Sequence, residues 1–268
     1  MSSVDTGQLA HDEAVGRGEF TYVDPSTGYH VFTTLGLQAR GKCCGCGCRH
    51  CPFQHESVPM GQRAERINQP AWLTEQDTKS SIALFWSGGK DSFLALRALR
   101  RDLPNESITL VTTFDLGNRI VAHQEIHLQD IVAQASALGC PLLGIPLATG
   151  ADYVTQVKDG LELIAGLKRL AFGDLHLEHI RDWREEAFSE LVHSRQLELI
   201  FPLWQVPYQT LLEDLSKSGV TSVLTAVTHP ELEGRIGEKF DQAFIDSLSE
   251  DIDTFGENGE FHTRVEVA

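Results

Sequence analysis

The sequence predicts an α/β protein: a doubly wound parallel sheet with a small cysteine-rich appendage before it. Three observations carry this expectation. From Ser80 onward, short apolar β-prone runs alternate with segments of helical period. A glycine-rich loop, Ser87-Gly88-Gly89-Lys90-Asp91-Ser92, stands between the first such run and the first helical segment. The composition also changes near residue 75, before which lie mixed polar residues, a cysteine cluster and a Gln/Arg/Asn/Pro stretch from Gln62 to Pro70. The chain therefore divides into an appendage with its linker over residues 1–75 and a sheet-bearing domain over 76–268.

Within the appendage, Phe20 to Val23 and Tyr29 to Thr33 are β-prone runs about the turn signal Pro25-Ser26-Thr27-Gly28, a short hairpin. In the larger domain the expected strands are Ile82 to Trp86, Ile108 to Phe114, Pro141 to Leu147, Arg169 to Phe172, Leu197 to Phe201 and Thr221 to Val227. The helices between them are Asp91 to Arg101, then a stretch from His123 to Leu138 with Leu128, Ile131, Ala135 and Leu138 on one face. Val154, Val157, Leu161 and Ile164 mark the next core stripe, and Trp183, Ala187, Phe188 and Leu191 the one after. Strands that are apolar on both sides belong to a sheet covered by helices on both faces, whose ligands bind beyond the carboxyl ends of its strands.

With 268 residues, 41% hydrophobic and 22% charged, the chain has ample material for a core, which excludes a disordered or collagen-like protein. Twenty-two Lys and Arg against 38 Asp and Glu give a net charge of −16, which argues against non-specific binding to nucleic acid or anionic membrane. No run approaches the roughly 18 apolar residues of a membrane span. The first residues, with Asp5, His11, Asp12 and Glu13, lack a basic stretch followed by an apolar one, so the expectation is a cytoplasmic protein.

The loop from Ser87 to Ser92 is built to hold phosphate. Paired glycines let backbone N–H groups approach an anion, the helix start adds donors and partial positive charge, and two hydroxyls and a lysine add more. It is not a Walker loop, because the four-residue spacer is absent and Asp91 follows Lys90. These residues resemble the PP-loop ATP pyrophosphatase superfamily, with a Rossmann-like adenine nucleotide alpha hydrolase fold. The resemblance implies ATP with Mg²⁺, cleavage between the α and β phosphates, and a pyrophosphate cradle at Ser87, Gly88, Gly89, Lys90, Asp91 and Ser92. It implies adenine near the ends of the first two strands, around Trp86, Phe114 and Asp115.

Later landmarks narrow the resemblance. Gln134-Ala135, Phe172-Gly173-Asp174, Arg181, Trp183, Arg184, Phe201-Pro202-Leu203-Trp204 and Gly256-Glu257-Asn258-Gly259-Glu260-Phe261-His262-Thr263 resemble the diphthine-ammonia ligase family from Ile82 to Thr263. Asn258, His262 and Leu175-His176-Leu177-Glu178 are closer to its bacterial members. This resemblance implies an enzyme that adenylylates a carboxylate and amidates it with ammonia, releasing AMP and pyrophosphate, with Gly173 beside the nucleotide.

On chemistry alone, Asp174 and Glu178, beyond a strand end, suit Mg²⁺ binding, a substrate amine or helix capping. Glu257 and Glu260, flanking glycines, suit ammonium binding, general-base catalysis or a plain solvent-facing turn. Asp174, Glu257 and Glu260 are thus the expected catalytic set. His123, His127, His176 and His179 read as surface or packing residues, and Trp204 as either pocket lining or core.

Five of the six cysteines, Cys43, Cys44, Cys46, Cys48 and Cys51, crowd together, the mark of a metal or redox site rather than of long-range disulfides. Cys43, Cys44, Cys48 and Cys51 are the expected ligands of Zn²⁺ or an iron-sulfur cluster, the alternative being reduced thiols or a local disulfide without metal. The segment resembles a short cysteine-rich domain of unknown role ending in CCxxxCRHCP, with Cys46 extra. Two other functions compete with the ligase: RNA sulfur transfer using the cysteine cluster, which the acidic charge opposes, and a nucleotide- or metal-binding module without turnover.

Overall fold

The structure, a computed structural model, describes residues 6–122, 124–148 and 152–267. The appendage contains α1 (Thr6–Gly16), a hairpin of β1 (Thr21–Val23) and β2 (His30–Phe32), and α2 (Thr34–Gln38). The expected turn closes the hairpin: Gly28 N–H donates to Asp24 O (2.8 Å), and the Asp24 carboxylate accepts from Ser26 N–H and Oγ. After the cysteine loop come α3 (Met60–Arg66) and β3 (Ala71–Trp72). β3 joins the edge of the main sheet, so the chain before residue 75 is paired into it.

The remaining elements are β4 (Ile82–Phe85), α4 (Lys90–Asp102), β5 (Ile108–Asp115), the two-residue strands β6 (Ile120–Val121) and β7 (Ile126–His127), α5 (Leu128–Ala137), β8 (Leu142–Leu147), α6 (Tyr153–Leu161) and β9 (Arg169–Ala171). They continue with α7 (Glu178–Ala187), α8 (Ser189–Arg195), β10 (Glu198–Ile200), α9 (Tyr208–Lys217), β11 (Thr221–Val227), α10 (Gln242–Asp246) and β12 (Phe261–Glu266). Among the described residues the main sheet runs β10-β9-β4-β5-β8-β3, parallel except for β3.

Alternation along the strands builds two cores. Ile82, Leu84, Leu110 and Leu142 pack with Leu94, Ala95 and Ala98 of α4 and with Ile131 and Ala135 of α5. Ala83, Val111, Leu143 and Leu170 face the other way, onto Val157 and Leu161 of α6 and onto Phe188 and Leu191. The sheet is therefore buried on both faces, as a parallel sheet must be. The chain builds outward from β4 to β5 and β8, then returns to add β9 and β10 on the other side. This reversal makes the carboxyl end of β4 the topological switch point, where open α/β sheets bind ligands.

Two expectations are corrected. Thr221–Val227 is not a strand of the main sheet but pairs antiparallel with β12. Ser222 and Leu224 are buried while their neighbours are only half-buried, the alternation of a one-sided strand. The stripe from Trp183 to Leu191 is not one helix face. α7 is polar and buries no residue fully, and the chain breaks at Phe188 so that Phe188 and Leu191 are buried in the core with Ala187 half-buried against it. α5 starts at Leu128, and His123 lies outside the described residues.

Leu84 is fully buried in the central strand. Leu84→Ala should cost about 2–5 kcal/mol of unfolding free energy in a urea titration, as a cavity in a close-packed core does.

Candidate active site

The loop after β4 is fixed from behind. Gly88 has φ +84°, and a Cβ there would lie 2.5 Å from Ile131 Cδ1 and 2.8 Å from Gln134 Oε1. Only glycine meets both conditions. Gln134 is buried in α5: its Oε1 accepts from Trp86 Nε1 (3.0 Å), and its Nε2 donates to Gly88 O (3.0 Å) and Val265 O (2.8 Å). Val265 N–H donates to Gly88 O as well (2.9 Å), and Lys90 N–H donates to Thr263 Oγ1 (3.1 Å). Ser92 Oγ donates to Gly89 O (3.0 Å) and Ser87 Oγ to Ser92 Oγ (3.4 Å). The phosphate loop is thus framed by α5 on one side and by β12 on the other.

In front of it opens a cavity of about 620 Å³ lined by Ser87, Lys90, Asp91, Ser92, Gly173, Asp174 and Glu257, with Val111, Thr113, Val121 and Leu147 on an apolar side. Tyr153, Trp183 and Arg184 also line it, and Trp183 is 44% exposed. Three carboxylates meet two cations here. Lys90 Nζ pairs with Asp91 Oδ2 at 2.9 Å and stands over the rings of Phe240, Phe255 and Phe261 at 5.3–5.7 Å, cation–π contacts that fix its position. Arg184 binds Asp174 through Nε (2.6 Å) and Nη2 (3.2 Å) and covers Phe172.

Glu257 takes up the remaining negative charge by holding a proton. Burial, then Asp91, pushes its carboxyl up to about 8, with Lys90 opposing. Burial likewise raises Asp91, whose Oδ1 is buried without a hydrogen-bond partner. Among the described residues no three His, Cys, Asp or Glu side chains form a metal-holding group. Mg²⁺ does not require one, since it binds through one or two carboxylates plus phosphate oxygens and water. The orphaned Asp91 Oδ1 and the cavity-facing Asp174 fit it.

Of the expected nucleotide residues, Trp86, Ser87, Lys90, Asp91, Ser92 and Gly173 line the cavity, and Gly88 and Gly89 form the turn beneath it. Phe114 and Asp115 do not line it. Phe114 is fully buried on the other face of β5, because strand alternation sends Val111 and Thr113 to the cavity instead. Asp115 Oδ1 accepts from Gly117 and Asn118 N–H, capping a turn. Asp174 and Glu257 face the cavity, but Glu260 turns inward: it is 7% exposed and accepts from the N–H groups of Asp253 (3.0 Å) and Asn258 (3.1 Å) and from Asn258 Nδ2 (3.1 Å). It organises the turn that presents Glu257. Glu178 stands in the first turn of α7, and Trp204 packs on Phe201 beneath Arg181, neither lining the cavity. Gln134 and Tyr153 were missed as site residues. Polar Gln134 within the apolar stripe of α5 was the available signal for the first.

The four cysteines expected as metal ligands, Cys43, Cys44, Cys48 and Cys51, lie together in one loop. Left-handed Gly45 and Gly47 fold the loop into two thiol pairs, buried Cys43 and Cys51 at 3.8 Å, and Cys44 and Cys48 at 3.2 Å, nearer the surface. His50 is taken up in packing, stacked on His11 at 3.8 Å and bonded to Tyr22 Oη.

The loop thus stands at the switch point of a doubly wound α/β sheet. Residues 80–192 match the family model described as diphthamide synthase N-terminal domain, and residues 10–57 match a family of unknown function, DUF5522. Among solved structures, a predicted subunit of tRNA methyltransferase from Methanocaldococcus jannaschii is 17% identical, with a TM-score of 0.35 over 70% of this chain and 96% of that one. The U34-tRNA thiolase NcsA from Methanococcus maripaludis, with its 4Fe-4S cluster, is 14% identical, with a TM-score of 0.32 over 63% of this chain and 66% of that one. No helix of the described residues is long and apolar enough to cross a membrane.

A carboxyl held at about 8 in the folded protein against an ordinary 4.5 binds its proton more tightly when folded. Its contribution to stability is complete below about pH 4.5 and is lost as the pH rises through about 8. Glu257→Gln should therefore flatten the stability–pH curve across that window in denaturant titrations, gaining on the parent at pH 8 and above. Glu260→Ala, which orphans three donors, should lower stability at every pH by about 1–3 kcal/mol.

Proposed function

We propose that the protein is an ATP-dependent, AMP-releasing ligase that adenylylates a carboxylate and converts it to an amide with ammonia. The observation that supports this reading is one cavity joining the phosphate loop at the switch point to a protonated Glu257. In it the β and γ phosphates rest over Ser87–Ser92, held by the start of α4, the two serine hydroxyls and Lys90. Mg²⁺, held by Asp91 and Asp174, would neutralise phosphate charge. The apolar side formed by Val111, Val121 and Leu147 suits the adenine ring.

An acceptor carboxylate oxygen attacks the α phosphorus and pyrophosphate leaves. Ammonia then attacks the acyl carbon, a proton is lost, and AMP departs. Ammonium reaching the site must first give up a proton, and Glu257, once it has released its own and stands as the carboxylate, is the group to take it. A base with a pKa near the working pH is best matched to that task. Arg184 holds Asp174 in place and adds positive charge beside the leaving groups.

A second reading is favoured by Trp183. An indole left open at the cavity mouth, with Tyr153 at 6.0 Å and Arg184 beside it, suits stacking of a planar base, whose adenylylated carbonyl would then be attacked by sulfur.

Incubated with ATP, Mg²⁺, ammonium and a panel of carboxylates, the protein should release AMP and pyrophosphate in step with amide. ADP with phosphate as the products would exclude the mechanism. Product formed only with RNA and a sulfur donor would select the second reading. Gly89→Val should weaken ATP binding by about 1–3 kcal/mol in calorimetry, since its side chain meets Thr263 O, 2.9 Å from a Cβ there. Glu257→Gln should keep ATP affinity near that of the parent while turnover falls by roughly 10²–10⁴. In the parent, turnover should rise with pH through about 8.

A further inference from the structure

We propose that Cys44 and Cys48 form an oxidisable dithiol, closed to a disulfide by small-molecule disulfides, and that closure loosens the wall of the nucleotide cavity. The Sγ atoms stand 3.2 Å apart, so closing to the roughly 2.05 Å of a disulfide needs a movement of about 1 Å. The left-handed glycines at 45 and 47, with φ +73° and +70°, already turn the chain so that the two thiols meet. Cys44 is exposed and Cys48 half-buried, whereas Cys43 and Cys51 are each only 6% exposed and are closed to a bulky reagent.

The exposure of Cys44 makes it the first of the two to meet a reagent from solution. Cys44 therefore attacks first. Its thiolate displaces one thiolate from the small disulfide, giving a mixed disulfide. Cys48 then gives its proton to the departing thiolate and attacks the Cys44 sulfur, and the second small thiolate leaves. Two protein thiols are oxidised and one small disulfide is reduced to two thiols.

The link to the cavity rests on the nucleotide reading above; the disulfide itself does not. Gly47 lies inside the ring that closure makes, and its carbonyl accepts from Asn68 Nδ2 (3.4 Å). Asn68 Oδ1 in turn accepts from Arg119 Nη2 (3.0 Å), and Arg119 Nη1 donates to Ile67 O (2.6 Å). Arg119 itself is held at φ +63°, an uncommon conformation for a residue with a side chain, directly before β6, whose Val121 lines the cavity. A ring that pulls Gly47 from Asn68 removes a support from that wall.

The test treats full-length protein with oxidised glutathione or dithiothreitol, counts thiols and maps tryptic peptides, and measures ATP affinity by calorimetry. Cleavage after Lys42 and Arg49 isolates a peptide with Cys44 and Cys48 but without Cys51. After oxidation that peptide should lose two hydrogens, with fragmentation placing the bridge at 44–48, and ATP should bind about fivefold more weakly. Cys48→Ser should lose both responses and keep the affinity of the reduced parent. Thiols protected by retained zinc or iron, or a bridge placed at 43–51, would overturn the proposal. A 44–48 bridge with unchanged ATP affinity would overturn the link to the cavity. If the reduced parent binds no ATP, the nucleotide reading fails, while the peptide map still decides the disulfide.

Discussion

The carbonyl oxygen of Gly88 takes two hydrogen bonds, from Val265 N–H and from the buried Gln134 amide, and the geometry around the cavity depends on this pair. A glycine-rich turn left to itself is the most mobile kind of backbone. Here one left-handed residue is clasped between a helix and a strand, so its neighbours are aimed before any ligand arrives. Gln134 spends its whole amide on the task, bonding Trp86, Gly88 and Val265 together. A buried network of this kind is costly if any member is missing and rigid when all are present. Preorganised donors gain most where charge develops in a reaction, because no energy is then spent in turning them.

Charge in the cavity follows from the same rigidity. Asp91, Asp174 and Glu257 cannot move apart, and only Lys90 and Arg184 are at hand to balance them. The surplus is eased by a proton, for which burial raises the affinity of both Glu257 and Asp91. Arrival of cationic partners would reverse that preference, so the protonation of Glu257 and the filling of the cavity are linked. Lys90 lies against three aromatic rings, Phe240, Phe255 and Phe261, which ties the electrostatics of the loop to the same region that fixes its shape.

Much of this was legible in the sequence because local chemistry determines it. Five strands of the main sheet lie in apolar runs, and the phosphate loop lies in six consecutive residues whose properties act together. What was not legible depends on direction. Phe114 and Thr113 are neighbours in one strand, yet only Thr113 faces the cavity. Glu257 and Glu260 share one turn and one chemistry, but backbone donors at Asp253 and Asn258 capture Glu260 and leave Glu257 facing the cavity. The strand at Thr221–Val227 has β-prone residues wherever it pairs, and its partner is chosen by a segment that sequence reading treated only as a motif. The cysteines gave away their closeness but not their pairing, which two left-handed glycines set.

The clasp between Lys90 and Thr263 joins residues 173 apart in the chain. Sheet, helices and phosphate loop are all synthesised before β12 emerges from the ribosome. A growing chain can therefore assemble the whole doubly wound sheet while its loop still lacks the strand that holds it in shape. Contacts so distant in sequence form late, because a long loop must close before they repay its entropy. The order of synthesis thus sets an order of assembly: the loop after β4 gains its full set of supports only once β12 has been made.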